Sequence, residues 1–252
     1  MRLGRIPFIN MAPYYHFLSA RWLDQHELSL GNPRQLGNLA KAGKLDAAPF
    51  SYADGVELRA SGEFEWLDAL GIAGHGRIRS ILLVGASDPL ALAGQAIAVT
   101  PHTATTVRLL EVWLQQKHGV KDYRLVGPDH TAAARLLIGD EALKRHLELG
   151  GKEPQIDLSA EWSSWTGLPF VFARWAVRSG LPARAKAELA LSVRSALDLA
   201  LDDLEDVAKA QAERSKLPQA EIMAYLQGIR FRLGPNELAG AAEFERRLAE
   251  LG

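Results

Sequence analysis

Apolar positions come in short runs broken by turn residues over roughly the first two thirds of this chain, and at helical spacing thereafter. The run within residues 2–9 predicts a first strand, broken by Asn10-Met11-Ala12-Pro13. Pro13 suits the first turn of a helix through Tyr14, Phe17, Leu18 and Trp22. A second helix is expected over 33–42, ending at Gly43, and a short strand over 45–50 follows, with Ser51 and Tyr52 at its end. Residues 54–59 read as a short helix or turn, 65–71 show no clear period, and 78–85 read as a strand in which Ser80 sits among apolar residues.

After a loop at 86–94 the alternation starts afresh. A strand at 95–100, a helix at 103–118, a strand at 123–126, a short helix at 132–136 and a short strand at Leu137-Ile138 are expected in turn. Gly139-Asp140 stops that strand, with Asp140 placed to cap a helix over 141–149, and 159–165 reads as another short helix. The stretch Thr166-Gly-Leu-Pro-Phe-Val-Phe-Ala-Arg-Trp175 opens with turn chemistry and continues with the β-favouring Phe170, Val171 and Phe172. It is a strand at a seam, because almost everything from Pro182 to Leu251 is helical in composition, with breaks at Leu217-Pro218 and Gly234-Pro235. Such a strand is either a crossing between two lobes or a plain core strand closing one domain.

Strands alternating with helices argue for an α/β fold with mostly parallel strands and right-handed crossovers. Two lobes with an interlobe cleft are expected, lobe 1 being 1–88 plus 179–252, with the C-terminal helices covering it, and lobe 2 being 89–178. Ligands of open α/β sheets bind beyond the carboxyl ends of strands, where helix N-termini also point. The loops that matter are therefore those at 10–12, 50–52, 75–80, 100–106, 139–140 and 166–170. They put Ser51, Gly139, Asp140, Leu168 and Pro169 among the candidate substrate contacts.

Composition narrows the classes. The chain has 252 residues, 48% hydrophobic and 23% charged, as in a soluble globular protein. A formal net charge of -1 supplies no overall basic field for nucleic acid or an anionic membrane surface. The absence of cysteine removes disulfides and thiolate chemistry. Pro7 and Asn10 interrupt the first apolar run before it could form a secretory signal core, and no run approaches the ~20 apolar residues of a membrane span, so cytoplasmic residence is expected. No H-E-x-x-H, P-loop or dinucleotide glycine fingerprint occurs, so neither metal nor cofactor is expected.

Thr100-Pro-His-Thr-Ala-Thr-Thr106, between a strand and a helix, combines four hydroxyls with the free N–H groups of a helix start. That is a cradle for a carboxylate, unless Thr103 or Thr105 merely caps its own helix. Asn10 can orient a substrate hydroxyl or carboxylate, or serve as a turn residue. Ser80 is either a satisfied core hydroxyl or a ligand contact, and no G-x-S-x-G surrounds it. His75 and His102 lie in loops as candidate proton acceptors without a local partner. Arg77 and Arg79 can hold a carboxylate, although strand alternation sends at least one of them outward.

With these residues in place the chain resembles the chorismate dehydratases of menaquinone biosynthesis by the futalosine route. The resemblance is carried by Gly4-Arg-Ile-Pro-Phe-Ile-Asn10 with Pro13, Gly43-Lys-Leu-Asp-Ala-Ala-Pro49, Ser80-Ile-Leu-Leu-Val, Thr103-Ala-Thr-Thr-Val-Arg-Leu109, Leu137-Ile-Gly-Asp140 with Ala142-Leu143, and Trp162 with Trp165 to Trp175. It implies a type II periplasmic-binding-protein-like fold and conversion of chorismate to 3-[(1-carboxyvinyl)oxy]benzoate and water. It favours catalytic roles for Asn10 and Ser80 and ligand-contact roles for Thr103, Thr105 and Thr106. The family often has Ser-Arg-Thr-Ser where this chain has residues 103–106, which keeps hydroxyls and lacks the arginine. The sister dihydroxynaphthoate synthase carries a cysteine in its first loop, which is missing here. A non-catalytic small-carboxylate-binding protein is the alternative from another class, since the same fold serves that purpose widely.

Overall fold

The computed structural model describes residues 1–102 and 104–251, so Thr103 lies outside the described residues. In chain order the strands are β1 (Arg2–Arg5), β2 (Glu27–Leu30), β3 (Ala47–Ser51), β4 (Phe64–Gly74), β5 (Ile81–Val84), β6 (Ala96–Val99), β7 (Arg124–Val126), β8 (Ala134–Ile138), β9 (Gln155–Asp157), β10 (Phe170–Arg178) and β11 (Ile229–Arg232). The α-helices are α1 (Ala20–Asp24), α2 (Pro33–Lys41), α3 (Tyr52–Ala60), α4 (Thr105–Val112), α5 (Gly139–Leu149), α6 (Leu158–Thr166), α7 (Ala183–Asp202), α8 (Leu204–Ser215), α9 (Gln219–Gln227) and α10 (Pro235–Ala249).

The chain divides into two compact units, residues 1–72 with 172–233 and residues 73–171 with 234–252. Unit 1 holds a sheet in the order β11-β4-β10-β3-β1-β2, and unit 2 one in the order β7-β6-β8-β5-β9. The chain returns to unit 1 at Phe172, inside β10, which makes that strand a crossing. The changeovers differ from the expected 88/89 and 178/179, because β4 and β10 are continuous extended segments that pass from one unit to the other without a loop. The last helix, α10, belongs to unit 2 and does not cover unit 1 as expected.

Both sheets are mixed. β1 runs parallel to β2 and β3, while β10 is antiparallel to β3 with Ala173 opposite Ser51. In unit 2, β6 is parallel to β7 and β8, while β5 is antiparallel to both β8 and β9. The expectation of mostly parallel strands therefore needs correcting at β5 and β10, which run against their neighbours.

Three local expectations also change. The helix from Pro13 to Trp22 is instead a 3-10 turn over Ile9–Tyr14, with Pro13 inside it, followed by the separate α1, whose cap Ser19 accepts from the Trp22 N–H at 3.2 Å. Consecutive Tyr14 and Tyr15 are both buried and anchored on different carbonyls, which an amphipathic α-helix would not satisfy. The alanine-rich 132–136 segment is not a helix: β8 lies between β6 and β5, and its ladder bonds outweigh helix propensity. β11 escaped notice within the helical C-terminal stretch, although Ile229-Arg-Phe-Arg232 alternates buried and exposed.

A core of Tyr14, Trp175 and Phe231 holds unit 1 together, Tyr14 meeting the other two edge-on at 5.7 and 5.9 Å. In unit 2, Trp162 packs edge-on against Phe170 and Phe244, at 5.3 and 6.0 Å, and its indole N–H donates to the Pro169 carbonyl at 3.2 Å. α10 reaches this turn only because residue 240 is glycine: a Cβ there would lie 1.9 Å from the Pro169 carbonyl oxygen. Alanine at an ordinary helix position gains about 1 kcal/mol over glycine. Gly240→Ala is expected instead to lower unfolding stability by about 2 kcal/mol, the overpacking term winning, as measured by urea titration.

Candidate active site

In unit 1 the parallel strands β1 and β3 end at the same edge of the sheet. Beyond β1, Phe8 is extended and the 3-10 turn begins at Ile9. Tyr14 pins that turn: its hydroxyl lies 2.6 Å from the Gly71 carbonyl and 2.7 Å from that of Phe231, sharing one proton between two buried acceptors. Burial pushes this phenol well above its ordinary range, so it remains a donor. Tyr15 donates to the Gly4 carbonyl at 3.0 Å. Between these anchors and β1 sits Asn10, half-buried, whose amide oxygen is buried with no hydrogen-bond partner among the described residues. A buried acceptor left unpaired costs about 1–3 kcal/mol.

Ser51 closes β3 and is the residue before α3, yet it makes no cap hydrogen bond with that helix. Its hydroxyl donates instead to Asp54 Oδ2 at 2.6 Å, and both residues are buried.

In unit 2 the antiparallel pairing of β5 with β8 sets Ile81 opposite Ile138, so the start of β5 and the end of β8 share one edge. That pairing joins two candidates far apart in the chain: the Gly139 N–H donates to the Ser80 carbonyl at 2.8 Å. The parallel β6 ends at the same edge, and the antiparallel pairing of β9 with β5 brings Asp157 there too. Helices α4, α5 and α6 consequently all start at one edge of one sheet.

Among the described residues, α6 has a side-chain cap in Asp157. Asp157 accepts from the N–H groups of Ser159 and Ala160 at 3.0 and 3.2 Å, and with its other oxygen from those of Ile78 and Arg79 at 3.0 and 2.7 Å. Burial pushes this carboxyl above the usual carboxylate range, with the four N–H groups opposing that rise. The Ser163 hydroxyl accepts from the Gly76 N–H at 2.8 Å, a second tether on the loop before Ser80. Arg79 is held at φ 64, a left-handed conformation uncommon outside glycine, immediately before the buried Ser80.

The starts of α4 and α5 carry no side-chain cap hydrogen bond. The residue preceding α4 is Ala104, so Thr105 is not the cap, and Thr105 and Thr106 lie buried in the first turn. Asp140 is likewise not a cap: α5 already begins at Gly139, which adopts φ 58, and Asp140 sits in its first turn. A cavity of about 200 Å³ within unit 2 is bounded by Thr100, Pro101 and His102 on one side and Glu141 and Arg135 on another. A larger cavity of about 430 Å³ runs along α5 from Glu141 to Glu148 toward Val84 and Gly85.

Leu168 and Pro169 form the turn between α6 and β10. The Leu168 N–H donates to the Thr166 hydroxyl at 3.2 Å, and the Pro169 carbonyl is taken by Trp162. His75 and His102 are both exposed. Among the described residues no three His, Asp or Glu side chains gather as a metal-ligand set. No helix among them is long and apolar enough to cross a membrane.

Sequence reasoning missed Asp157, Asp54 and Tyr14. Asp157 was within reach, since an Asp directly before the helix-favouring 158–166 segment is a cap signal. Asp54 lies three residues after Ser51, a Ser-x-x-Asp spacing at a helix start that was also within reach, whereas Tyr14 acts through carbonyls distant along the chain, for which no local signal exists.

Two mixed α/β sheets in two units, with ligand-competent strand ends, define the periplasmic-binding-protein-like fold. Protein AF1704 from Archaeoglobus fulgidus aligns with a TM-score of 0.76 at 17% identity, covering 99% of this chain and 95% of that one. The alkanesulfonate-binding protein SsuA from Xanthomonas axonopodis pv. citri, bound to MOPS, aligns at 0.70 and 14% identity, covering 100% and 92%. The chain belongs to the menaquinone biosynthesis family, whose model matches residues 1–250. Within curated relatives it is 30% identical over 266 residues to a chorismate dehydratase of Thermus thermophilus, covering 98% of this chain and 94% of that protein. It is also 30% identical over 182 residues to a chorismate dehydratase of Campylobacter jejuni, covering 69% and 66%.

The Asp157 clamp is testable directly. Asp157→Ala strands four backbone N–H groups and is expected to cost about 3 kcal/mol of stability. Amide exchange at Ile78 and Arg79 should accelerate more than exchange in the β6 ladder, which hydrogen-exchange mass spectrometry measures.

Proposed function

We propose that this protein is a chorismate dehydratase, a hydro-lyase that converts chorismate to 3-[(1-carboxyvinyl)oxy]benzoate and water. The observation that carries this reading is the pair of helix starts without side-chain caps, α4 and α5, at the edge that also holds Ser80, Thr105 and Thr106. Backbone N–H groups there attract anions, and chorismate is a dicarboxylate. Family membership and the near full-length likeness to a chorismate dehydratase support the choice of substrate.

The reaction removes a proton from the ring carbon bearing the enol ether and the hydroxyl from the neighbouring carbon, the two leaving together as water once the abstracted proton is passed to the departing hydroxyl, and the ring becomes aromatic. As the C–H bond breaks, negative charge spreads through a conjugated double bond onto the ring carboxylate. Donors held at that carboxylate, the α4 and α5 N–H groups with the Thr105, Thr106 and Ser80 hydroxyls, stabilise the transition state more than the ground state. The substrate's own enolpyruvyl carboxylate takes the proton, because the two loop histidines are solvent-exposed and no paired carboxylates are offered. The unpaired Asn10 amide oxygen accepts from the ring hydroxyl and orients its departing C–O bond. Gly139, Asp140, Leu168 and Pro169 shape the surroundings of the bound ring.

Incubation of the pure protein with chorismate, followed by absorbance and mass detection of the aromatic product, tests the reading, and no product formation rejects it. Asn10→Leu is expected to fold with an unchanged melting temperature and to lose about a hundredfold in turnover, with a smaller effect on affinity. Thr105→Val with Thr106→Val should lower kcat as well as raise KM. The double variant His75→Gln, His102→Gln should turn over within about threefold of the wild type; a loss of several orders of magnitude would make one of these histidines the base.

A further inference from the structure

The pair Ser51 and Asp54 is a buried hydroxyl and carboxyl that the reaction scheme above does not use. A serine preceding a helix ordinarily accepts a hydrogen bond from that helix's first turn. Ser51 makes none and commits its proton to Asp54 Oδ2 at 2.6 Å, the two residues being 2% and 4% exposed. In this state only the lone pairs of Ser51 remain available to anything beyond it, and lone pairs repel a carboxylate.

The position is nevertheless one where donors are expected. Ser51 ends β3 at the edge where β1 also ends, beside Ala173 of β10. We propose that Asp54 takes up a proton when a carboxylate ligand binds, and that the Ser51 hydroxyl is thereby released to donate to the ligand. The proton comes from solvent and moves onto Asp54 Oδ2, which then donates to Ser51 Oγ, while the Ser51 proton turns outward. No covalent bond other than O–H changes. Asp54 is thus a positioning residue, and Ser51 is a donor only in the ligand-bound protein. The inference rests on the reading of this protein as a binder of a dicarboxylate.

The surroundings of Asp54 make the switch cheap. Burial already pushes its carboxyl above the usual range, opposed first by the Ser51 hydrogen bond and then by Lys41 and Arg34 of α2, while Glu57 of its own helix pushes the same way as burial. Lys41 is itself engaged by Glu57 at 2.7 Å. Gly37 of α2 leaves little space at the carboxyl, since a Cβ there would be 3.2 Å from Asp54 Cγ. A dianionic ligand nearby raises the proton affinity further, because like charges disfavour the ionised form.

Linkage supplies the test. Calorimetric titration of the wild type with 3-[(1-carboxyvinyl)oxy]benzoate in buffers of different ionisation enthalpy should show uptake of close to one proton per ligand, and the dissociation constant should rise about tenfold per pH unit on the alkaline side. Asp54→Asn, whose amide donates permanently to Ser51, should bind with no proton uptake and a pH-independent affinity. Ser51→Ala should abolish the uptake and weaken binding about tenfold. Wild-type binding without proton uptake, or uptake that survives in Asp54→Asn, overturns the inference while chorismate turnover leaves the proposed function standing. Absence of both turnover and binding overturns the two together.

Discussion

Backbone N–H groups at the starts of three helices collect at one edge of the unit 2 sheet, and each set needs acceptors. The constraint follows from strand directions alone: β6, β8 and β9 run the same way, with β5 reversed between β8 and β9, so α4, α5 and α6, which follow those three strands, begin at one edge. Asp157 satisfies α6 and simultaneously clamps Ile78 and Arg79, which places Ser80 next to Gly139. One buried carboxylate therefore does two jobs, closing one anion site and building the wall of its neighbours. Ala104 and Ile138, the residues preceding α4 and α5, give those helices no side-chain cap hydrogen bond.

Unit 1 solves the opposite problem. Its first loop must hold an amide steady with its oxygen unsatisfied, and unsatisfied acceptors tend to collapse onto nearby donors. Two consecutive tyrosines prevent this by tying the 3-10 turn to carbonyls on separate elements, Tyr14 to Gly71 and Phe231, Tyr15 to Gly4. The stacking of Tyr14 against Trp175 and Phe231 gives those bonds a rigid background. Asn10 keeps its orientation because its neighbours are overdetermined, and the energy of leaving its oxygen bare is carried by the core around it.

Close approach is the third theme. Gly240 lets α10 meet the Pro169 carbonyl, and Trp162 then binds that same carbonyl through its indole N–H. The turn at Leu168 and Pro169 is thereby held from the side of α6 and from the side of α10, although the residues involved are separated by most of a hundred positions of helical sequence and strand. Gly240 looks like an ordinary weak spot in a helix until that contact is known.

Much of this was legible from residues alone. Turn chemistry at Thr166 to Pro169 and the apolar run after it announced β10 as a strand but left open whether it crosses between units, and Pro33 with Gly43 marked both ends of α2, because local φ/ψ preferences and periodicity act within a few residues. Ser51 at the end of β3 followed from the same logic, whereas Ser80 lies just before β5 and not inside a strand over 78–85, and Asn10 lies in a 3-10 turn beyond the end of β1 at Arg5. What local sequence could not determine was anything set by partners distant along the chain. β8 became a strand although Ala132 to Ala134 favour helix, since pairing on both sides decides such segments. β4 was unreadable because Asp68, at φ 57, interrupts its alternation. The commitment of the Ser51 proton to Asp54, the four bonds to Asp157 and the bare oxygen of Asn10 all belong to tertiary structure, because a hydrogen bond's partner is chosen by which groups are brought within 3 Å, and composition carries no such distance.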